Sequence, residues 1–157
     1  MNIEHDAHIQ MYCDGGCRGN QRHSNIGGWG VLLLWKAHKK ELYGHASNTT
    51  NNIMELTACI EGLRAITNKK MPVDVYMDSA YVFNGITSWI YGWQKKNWRT
   101  YDGKPVLNKK LWLDLLAEKN KFASINFYKV KGHADDPGNI RADELVNIAM
   151  DKFAGKH

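Results

Sequence analysis

The sequence predicts an α/β fold built on a mixed sheet, and three observations carry that prediction. Apolar residues alternate with polar ones in the first third of the chain. From Asn52 the apolar spacing lengthens to a helical period, and after that point strand-like and helix-like stretches follow each other in turn. Ile9, Met11 and Cys13 alternate with Gln10 and Tyr12, which predicts a strand closed by a turn at Asp14-Gly15-Gly16. Gly28 to Trp35 and Glu41 to Ser47 are β-rich runs with a short polar connection, the pattern of a hairpin. Leu56, Cys59, Ile60 and Leu63 then fall on one helical face, predicting an amphipathic helix that ends near Asn68. Pro72 introduces a strand over Val73 to Met77, and Ser79 is placed to cap the helix after it. Leu111, Leu115 and Leu116 mark another helix, and Ile125 to Val130 another strand. A loop from Lys131 to Gly138 leads to a last helix with the stripe Leu145, Val146, Ala149, Met150 and Phe153. Strands joined through helices lie parallel, so the sheet combines an antiparallel opening with parallel additions.

The 157 residues are 43% hydrophobic, enough for one sizeable core and too few for two. One domain is expected, residues 8–154, after a short leader, 1–7. A net charge of +5 and a pI near 9.1 favour a polyanionic partner, nucleic acid foremost. The leader carries acid and histidine with no apolar run behind it, so no signal peptide or membrane span is expected and the protein reads as cytosolic. Cys13, Cys17 and Cys59 fit no disulfide framework and no zinc spacing, and they read as reduced thiols. Cys13 and Cys17, on either side of the predicted turn, could pair under oxidation, although a small buried hydrophobe suits Cys13 better.

Four acids stand at element ends. Asp14 closes the first strand and Asp78 the one from Val73. If those strands are parallel neighbours, both carboxylates leave the same edge of the sheet. Glu55 flanks its helix's apolar stripe, and Asp143 falls in the first turn of the last helix, on the side of Val146 and Met150 and facing the core. Each has an ordinary explanation as well: a turn former, a helix start with Ser79, a capping box begun by Asn52, a complement to a helix dipole. Taken jointly they imply something else. Two unit charges about 4 Å apart repel by about 4 kcal/mol at an effective dielectric of about 20, so four converging acids require cations. All-oxygen ligands favour magnesium, and two such ions would serve phosphodiester hydrolysis.

Further motifs accompany these acids: Tyr12-Cys13-Asp14-Gly15-Gly16-Cys17-Arg18-Gly19-Asn20, Gly27-Gly28-Trp29-Gly30, Thr49-Thr50-Asn51-Asn52 with Met54-Glu55-Leu56, and Asp78-Ser79 with Tyr81-Val82. Gly85-Ile86-Thr87, Trp89-Ile90, Lys104-Pro105-Val106, Val130-Lys131-Gly132-His133-Ala134, Asn139, Arg141 and Asp143-Glu144-Leu145 complete the series. In this order the chain closely resembles type 1 ribonuclease H, the bacterial single-domain form, from about Gln10 to Ala149. The resemblance implies a ribonuclease H-like fold, a five-stranded mixed sheet flanked by helices. It also implies endonucleolytic hydrolysis of the RNA strand of RNA/DNA hybrids that leaves 5′-phosphate and 3′-hydroxyl ends. Asp14, Glu55, Asp78 and Asp143 match the metal-binding acids, for two Mg2+ ions with Mn2+ able to substitute, and His133 matches a loop histidine that assists proton transfer or product departure. Asn20, Asn51 and Asn52 match residues that contact the hybrid's minor groove, and Thr50 lies beside a DNA-phosphate pocket. A monomer without obligate protein partners is the family default.

Between Trp89 and Lys110, Trp93, Lys95, Lys96, Trp98, Arg99, Lys104 and Lys109 interleave aromatic rings with cations. Such a stretch suits a groove in which cations meet phosphates, with Trp89 expected in the core and Trp98 gripping the DNA strand beside the lysines. Three features depart from the family pattern: Ala80 where many members carry glutamine, a longer and more polar Gln21 to Ile26 loop without an assigned role, and a leader in which His5 and His8 are expected to be disordered. A non-catalytic hybrid-binding module and a related metal-dependent DNA nuclease are the alternative readings.

Overall fold

The computed structural model describes residues 8–20, 24–131 and 136–154. Five strands form one sheet in the order β3-β2-β1-β4-β5. β1 (Ile9–Asn20), β2 (Ser24–Trp35) and β3 (His38–Ser47) are antiparallel, while β4 (Val73–Met77) lies parallel to β1 and β5 (Ile125–Lys129) parallel to β4. This is the mixed five-stranded sheet that the sequence predicts. The helices are α1 (Asn51–Ala65), α2 (Ala80–Asn84), α3 (Ile90–Lys95), α4 (Lys109–Lys119) and α5 (Pro137–Ala154), with one π-helical turn, Gly85–Trp89, joining α2 to α3. No helix among the described residues is long and apolar enough to cross a membrane.

The first strand does not stop at Asp14. It runs on through Gly15 and Gly16, and its pairing with β2 continues as far as Asn20 opposite Ser24. Gly15 serves close approach rather than a turn, since a Cβ there would stand 2.4 Å from the carbonyl carbon of Met54 in α1. On the other face, a Cβ on Gly30 would stand 2.7 Å from the carbonyl oxygen of Ala142 in α5. The bareness of these positions lets two helices settle on the sheet. The supposed Gln21 to Ile26 loop therefore shrinks: residues 21–23 lie outside the described residues, and Ile26 pairs with Arg18 inside the hairpin.

Side-chain alternation separates two packing layers. Met11, Cys13, Val73, Val75 and Met77 face α1, α2 and α4, where Leu56, Leu63, Val82, Trp112 and Leu115 are buried with them. Fully burying each such chain contributes about 1.5–3 kcal/mol. On the opposite face the α5 stripe Ala142, Leu145, Val146, Ala149 and Met150 covers β2 and β1. Trp112, which the leucine pattern of its helix did not single out, is wholly buried and donates its indole N–H to the Tyr81 hydroxyl at 3.1 Å.

Other boundaries shift for local reasons. α1 is capped by Thr50, whose hydroxyl accepts from the Ile53 N–H at 3.0 Å, and it ends at Ala65 rather than near Asn68 because the extended backbone of Ile66 turns its N–H back to Leu63. Ser79 caps α2 as expected, accepting from the Val82 N–H. α5 begins at Pro137, where Asp136 accepts from the N–H groups of Gly138 and Asn139. Cys13 and Cys17 share a strand without a turn between them, four residues or about 13 Å apart, too far for a disulfide. Cys13 instead meets Cys59: their hydrogen bond, together with burial, holds the Cys13 thiol far above its ordinary range and therefore unreactive. His8 is held rather than loose, its Nδ1 2.9 Å from Asp74 Oδ2, while His5 lies outside the described residues.

Candidate active site

The last paired residues of β1 and β4 are Cys13 and Met77, so Asp14 and Asp78 leave adjacent parallel strands at the same level. Asp14 is 6% exposed. The close approach at Gly15 brings the backbone of α1 against β1 and lowers Glu55, the fifth residue of that helix, into the same place. One carboxylate oxygen from each of Asp14, Glu55 and Asp78 lies within 4.8 Å of the others.

The electrostatics of this arrangement are unfavourable without a cation. Burial first, and then the neighbouring Asp78, push the Asp14 carboxyl up to about 7, although the Gly15 N–H at 2.9 Å pulls it back. Burial followed by the charges of Asp14 and Asp78 lifts Glu55 still further. The hydrogen bond between the two acids raises Glu55 and lowers Asp14, so Glu55 is the partner that keeps a proton.

The ordinary explanations for these acids no longer hold. Asp14 lies inside a strand and not in a turn. Thr50 rather than Asn52 caps α1, which leaves Glu55 outside any capping box. Ser79, not Asp78, caps α2. Asp143 is the seventh residue of α5, beyond the first turn where a helix dipole is felt. Asp143 also differs from its expected position: it is exposed and stands outside the three-acid group, because the buried stripe of α5 runs through Ala142, Leu145, Val146 and Ala149 and leaves residue 143 on the flank. Its charge nevertheless reaches Asp14 and raises it.

Beside the acids, Thr50, Asn51 and Asn52 line a polar cleft of about 610 Å3 together with Cys17, Asn25 and Thr49. Asn25, expected in a loop without a role, clamps this cleft: its side chain donates to the Thr49 carbonyl and accepts from the Thr49 N–H, both at 2.9 Å. Only the pairing of β2 with β3, which sets Ile26 opposite Ser47, reveals that function, since Asn25 lies beyond the apolar run that marks β2 in the sequence. The side chain of Asn20 and all of His133 lie outside the described residues.

In the basic segment Lys95, Lys96, Arg99 and Lys104 are exposed. Arg99 donates to the Gly103 carbonyl, and Lys104 stands 3.8 Å from Asp102. Of the two tryptophans, Trp89 departs from its expected place. Trp89 is 42% exposed rather than in the core, whereas Trp98 is half-buried against Trp93 and the core, its N–H bonded to the Trp93 carbonyl at 2.7 Å. The helix turn Gly85–Trp89 directs Gly85 and Ile86 inward, which leaves Trp89 at the rim. Ala80 is the exposed first residue of α2.

Comparison with known proteins agrees with this geometry. The ribonuclease H family model matches residues 6–151. A ribonuclease H of Paracidovorax citrulli is 49% identical over 151 residues, covering 94% of this chain and 97% of that protein, and one of Clostridium botulinum is 46% identical over 148 residues, covering 92% and 97%. Among solved structures, LC9-RNase H1, a type 1 RNase H with the type 2 active-site motif, superposes with a TM-score of 0.82 at 30% identity, over 92% of this chain and 72% of that one. LC11-RNase H1, solved in complex with an RNA/DNA hybrid, gives 0.68 at 27% identity, over 93% and 99%. With a matching family model along nearly its whole length and close relatives of the same kind, the chain belongs to the ribonuclease H family of hydrolytic enzymes.

Proposed function

We propose that the protein cuts the RNA strand of RNA/DNA hybrids endonucleolytically, by magnesium-dependent hydrolysis that leaves 5′-phosphate and 3′-hydroxyl ends. The observation that carries this reading is the convergence of Asp14, Glu55 and Asp78. Its donors are all carboxylate oxygens, whose mutual repulsion a hard divalent cation relieves, so the residues fit magnesium, with manganese able to substitute. Asp14, Glu55 and Asp78 would hold the metal, with Asp143 adding charge from α5. When bound, two such ions supply an activated water and stabilise the departing 3′ oxygen.

The rest of the work belongs to the chain. Asn20, Asn51 and Asn52 present amides that donate and accept towards base edges and 2′-hydroxyls, the groups that distinguish RNA from DNA. Thr50 serves a DNA phosphate beside them, in the cleft that Asn25 keeps open. Lys95, Lys96, Arg99 and Lys104 hold the DNA strand, with Trp98 anchoring the segment that carries them. His133 moves a proton at the leaving side or hastens product departure. All four acids come from one chain, which supports action as a monomer through a single unit, residues 8–154.

The test is magnesium-dependent cutting of an end-labelled hybrid by wild type and Asp14→Asn, with all-DNA and all-RNA duplexes as controls. Wild type should cut only the hybrid, and the variant should cut nothing. Equal cutting by both would remove Asp14 from the chemistry, and cutting of the DNA duplex would favour a DNA nuclease on the same fold.

A further inference from the structure

Three tyrosines stand side by side across three strands. Tyr12 of β1 lies opposite Tyr76 of β4, and Tyr76 opposite Tyr128 of β5. Their rings stack, with centroids 4.8 Å and then 5.2 Å apart and planes within 23° of parallel. Strand alternation puts Tyr12 on the same face as Asp14, two residues further on, so the row forms the layer next to the acids. Burial explains only part of it. α5 packs on β1, β2 and β3, and Tyr128 at the far end of the row is 44% exposed.

The two ends of the row meet the two ends of one stretch of chain. At the inner end the ring of Tyr12 lies against Gly138, the second residue of α5, where a Cβ would stand 2.4 Å from the ring carbons. That ring has little room to yield, because Tyr76 and then Tyr128 stand behind it. Asp136 belongs to the same end: its carboxylate accepts from the Gly138 N–H at 3.0 Å, and burial followed by its charge pushes the Tyr12 hydroxyl up to about 12. At the outer end Tyr128 stands two residues before Val130, whose N–H is fixed to the Met77 carbonyl at 2.8 Å. His133 lies in the chain between Val130 and Gly138, so both roots of the segment that carries it are seated on one aromatic row.

Resting on the part given to His133 above, we propose that Tyr12, Tyr76 and Tyr128 are positioning residues for His133: the stacked rings fix the separation of the two roots from which the histidine reaches the reacting phosphate. Six residues join Val130 to Pro137, and a link so short passes a displacement of either root on to its middle. A misplacement of about 1 Å is enough to cost a catalytic group much of its effect. The row acts through its ring faces and not through its hydroxyls, so phenylalanine serves in it where leucine does not.

The experiment uses three substitutions in the full chain. Tyr76→Leu removes the middle ring, Tyr76→Phe keeps it, and Gly138→Ala drives a Cβ into Tyr12 from the α5 side. Each is made alone and together with His133→Ala, and steady-state cutting of a labelled hybrid is measured with magnesium. Tyr76→Leu and Gly138→Ala should lower kcat by about tenfold and change KM by no more than about twofold, while Tyr76→Phe stays within about twofold of wild type. On the His133→Ala background the same two changes should cost no more than about twofold, because the group they misplace is gone. Magnesium should raise the Tm of both variants as much as that of wild type, which separates a displaced histidine from displaced acids. The inference is overturned by an undiminished kcat in both variants, by a full loss that persists on the His133→Ala background, by a Tyr76→Phe enzyme as poor as Tyr76→Leu, or by loss of the magnesium-dependent rise in Tm. If His133→Ala is impaired and the row variants are not, only this inference fails. If His133→Ala cuts like wild type, the part given to His133 fails and takes this inference with it; if wild type cuts no hybrid, the hybrid-cutting reading fails first.

Discussion

Replacing Asp14 by asparagine should make the metal-free protein more stable while abolishing its activity. The substitution keeps the volume and an acceptor for the Gly15 N–H, and it removes one charge from a group whose oxygens lie within 4.8 Å of one another. At that separation and an effective dielectric of about 20, the repulsion between Asp14 and Asp78 is worth about 3.5 kcal/mol. The weaker hydrogen bond from Gly15 offsets about 1 kcal/mol of this, leaving a net gain of about 2–3 kcal/mol. For a domain of this size that is about 5–10 °C in Tm.

The pH dependence fixes the sign independently. A carboxyl whose folded value is raised binds more protons folded than unfolded, so stability falls as pH rises from the ordinary carboxylate range near 4 through the folded value, about 7 for Asp14. The cost is absent below that window and fully present above it. In thermal unfolding with chelator, the variant should therefore exceed wild type near pH 8 and match it near pH 4. Magnesium should then raise the wild-type Tm and close the gap, because an ion that binds only the folded state stabilises it. A variant no more stable than wild type at the higher pH, or a gain that does not vary with pH, would refute the account of a strained acid cluster.

Three further outcomes are expected. Lys95, Lys96 and Arg99 all changed to alanine should raise KM and flatten its dependence on salt while sparing kcat, measured by steady-state cutting over a salt series, because fewer phosphate contacts release fewer counterions. Asn25→Ala leaves the Thr49 N–H and carbonyl without the side chain that clamps them, so KM should rise several-fold with little change in kcat, and Asn25→Asp, which keeps only the acceptor, should fall between the two in kinetic assays. Trp112→Ala removes a wholly buried indole that fills the space against Gly85 and satisfies Tyr81, and should cost about 3–5 kcal/mol, read as a fall of about 10 °C or more in Tm with activity retained at low temperature.

The five strands and the four longer helical regions were legible because each buries one face, and burial leaves a period in the sequence. Boundaries were less legible where that period is interrupted for a reason that lies elsewhere in space. Gly15 and Gly16 look like a turn to any local rule, and only the backbone of Met54 and Glu55 packed against Gly15 explains the glycine there. The same holds for Asn25, whose partner is 24 positions away, and for Trp112, whose neighbours come from the helix beginning at Ala80. In the basic segment the composition was readable but the division of labour was not. A tryptophan's type does not say whether its ring faces in or out, and here the backbone turn at Gly85–Trp89 decides it.

The close approach at Gly15, and not any signal local to the two acids, is what brings Asp14 and Glu55 together. Taken one at a time, a turn former at Asp14 and a capping-box position for Glu55 are the ordinary explanations of these acids. Had both been true, nothing would have required them to meet, and each would have been satisfied by its own neighbourhood. In the folded protein the absent Cβ at Gly15 brings helix and strand into backbone contact, and it is this contact that forces a buried aspartate and a half-buried glutamate together. A Gly15→Ala substitution should therefore damage the site more than the fold. A Cβ 2.4 Å from the Met54 carbonyl carbon must push the start of α1 away, carrying Glu55 from Asp14, while the far end of the helix remains seated through Ile60 and Leu63. Magnesium-dependent stabilisation and cutting should be lost together while helical circular dichroism is retained. If the alanine variant still gained stability from magnesium like wild type, the separation of the acids would not follow from the displaced helix, and the packing argument for this site would be wrong.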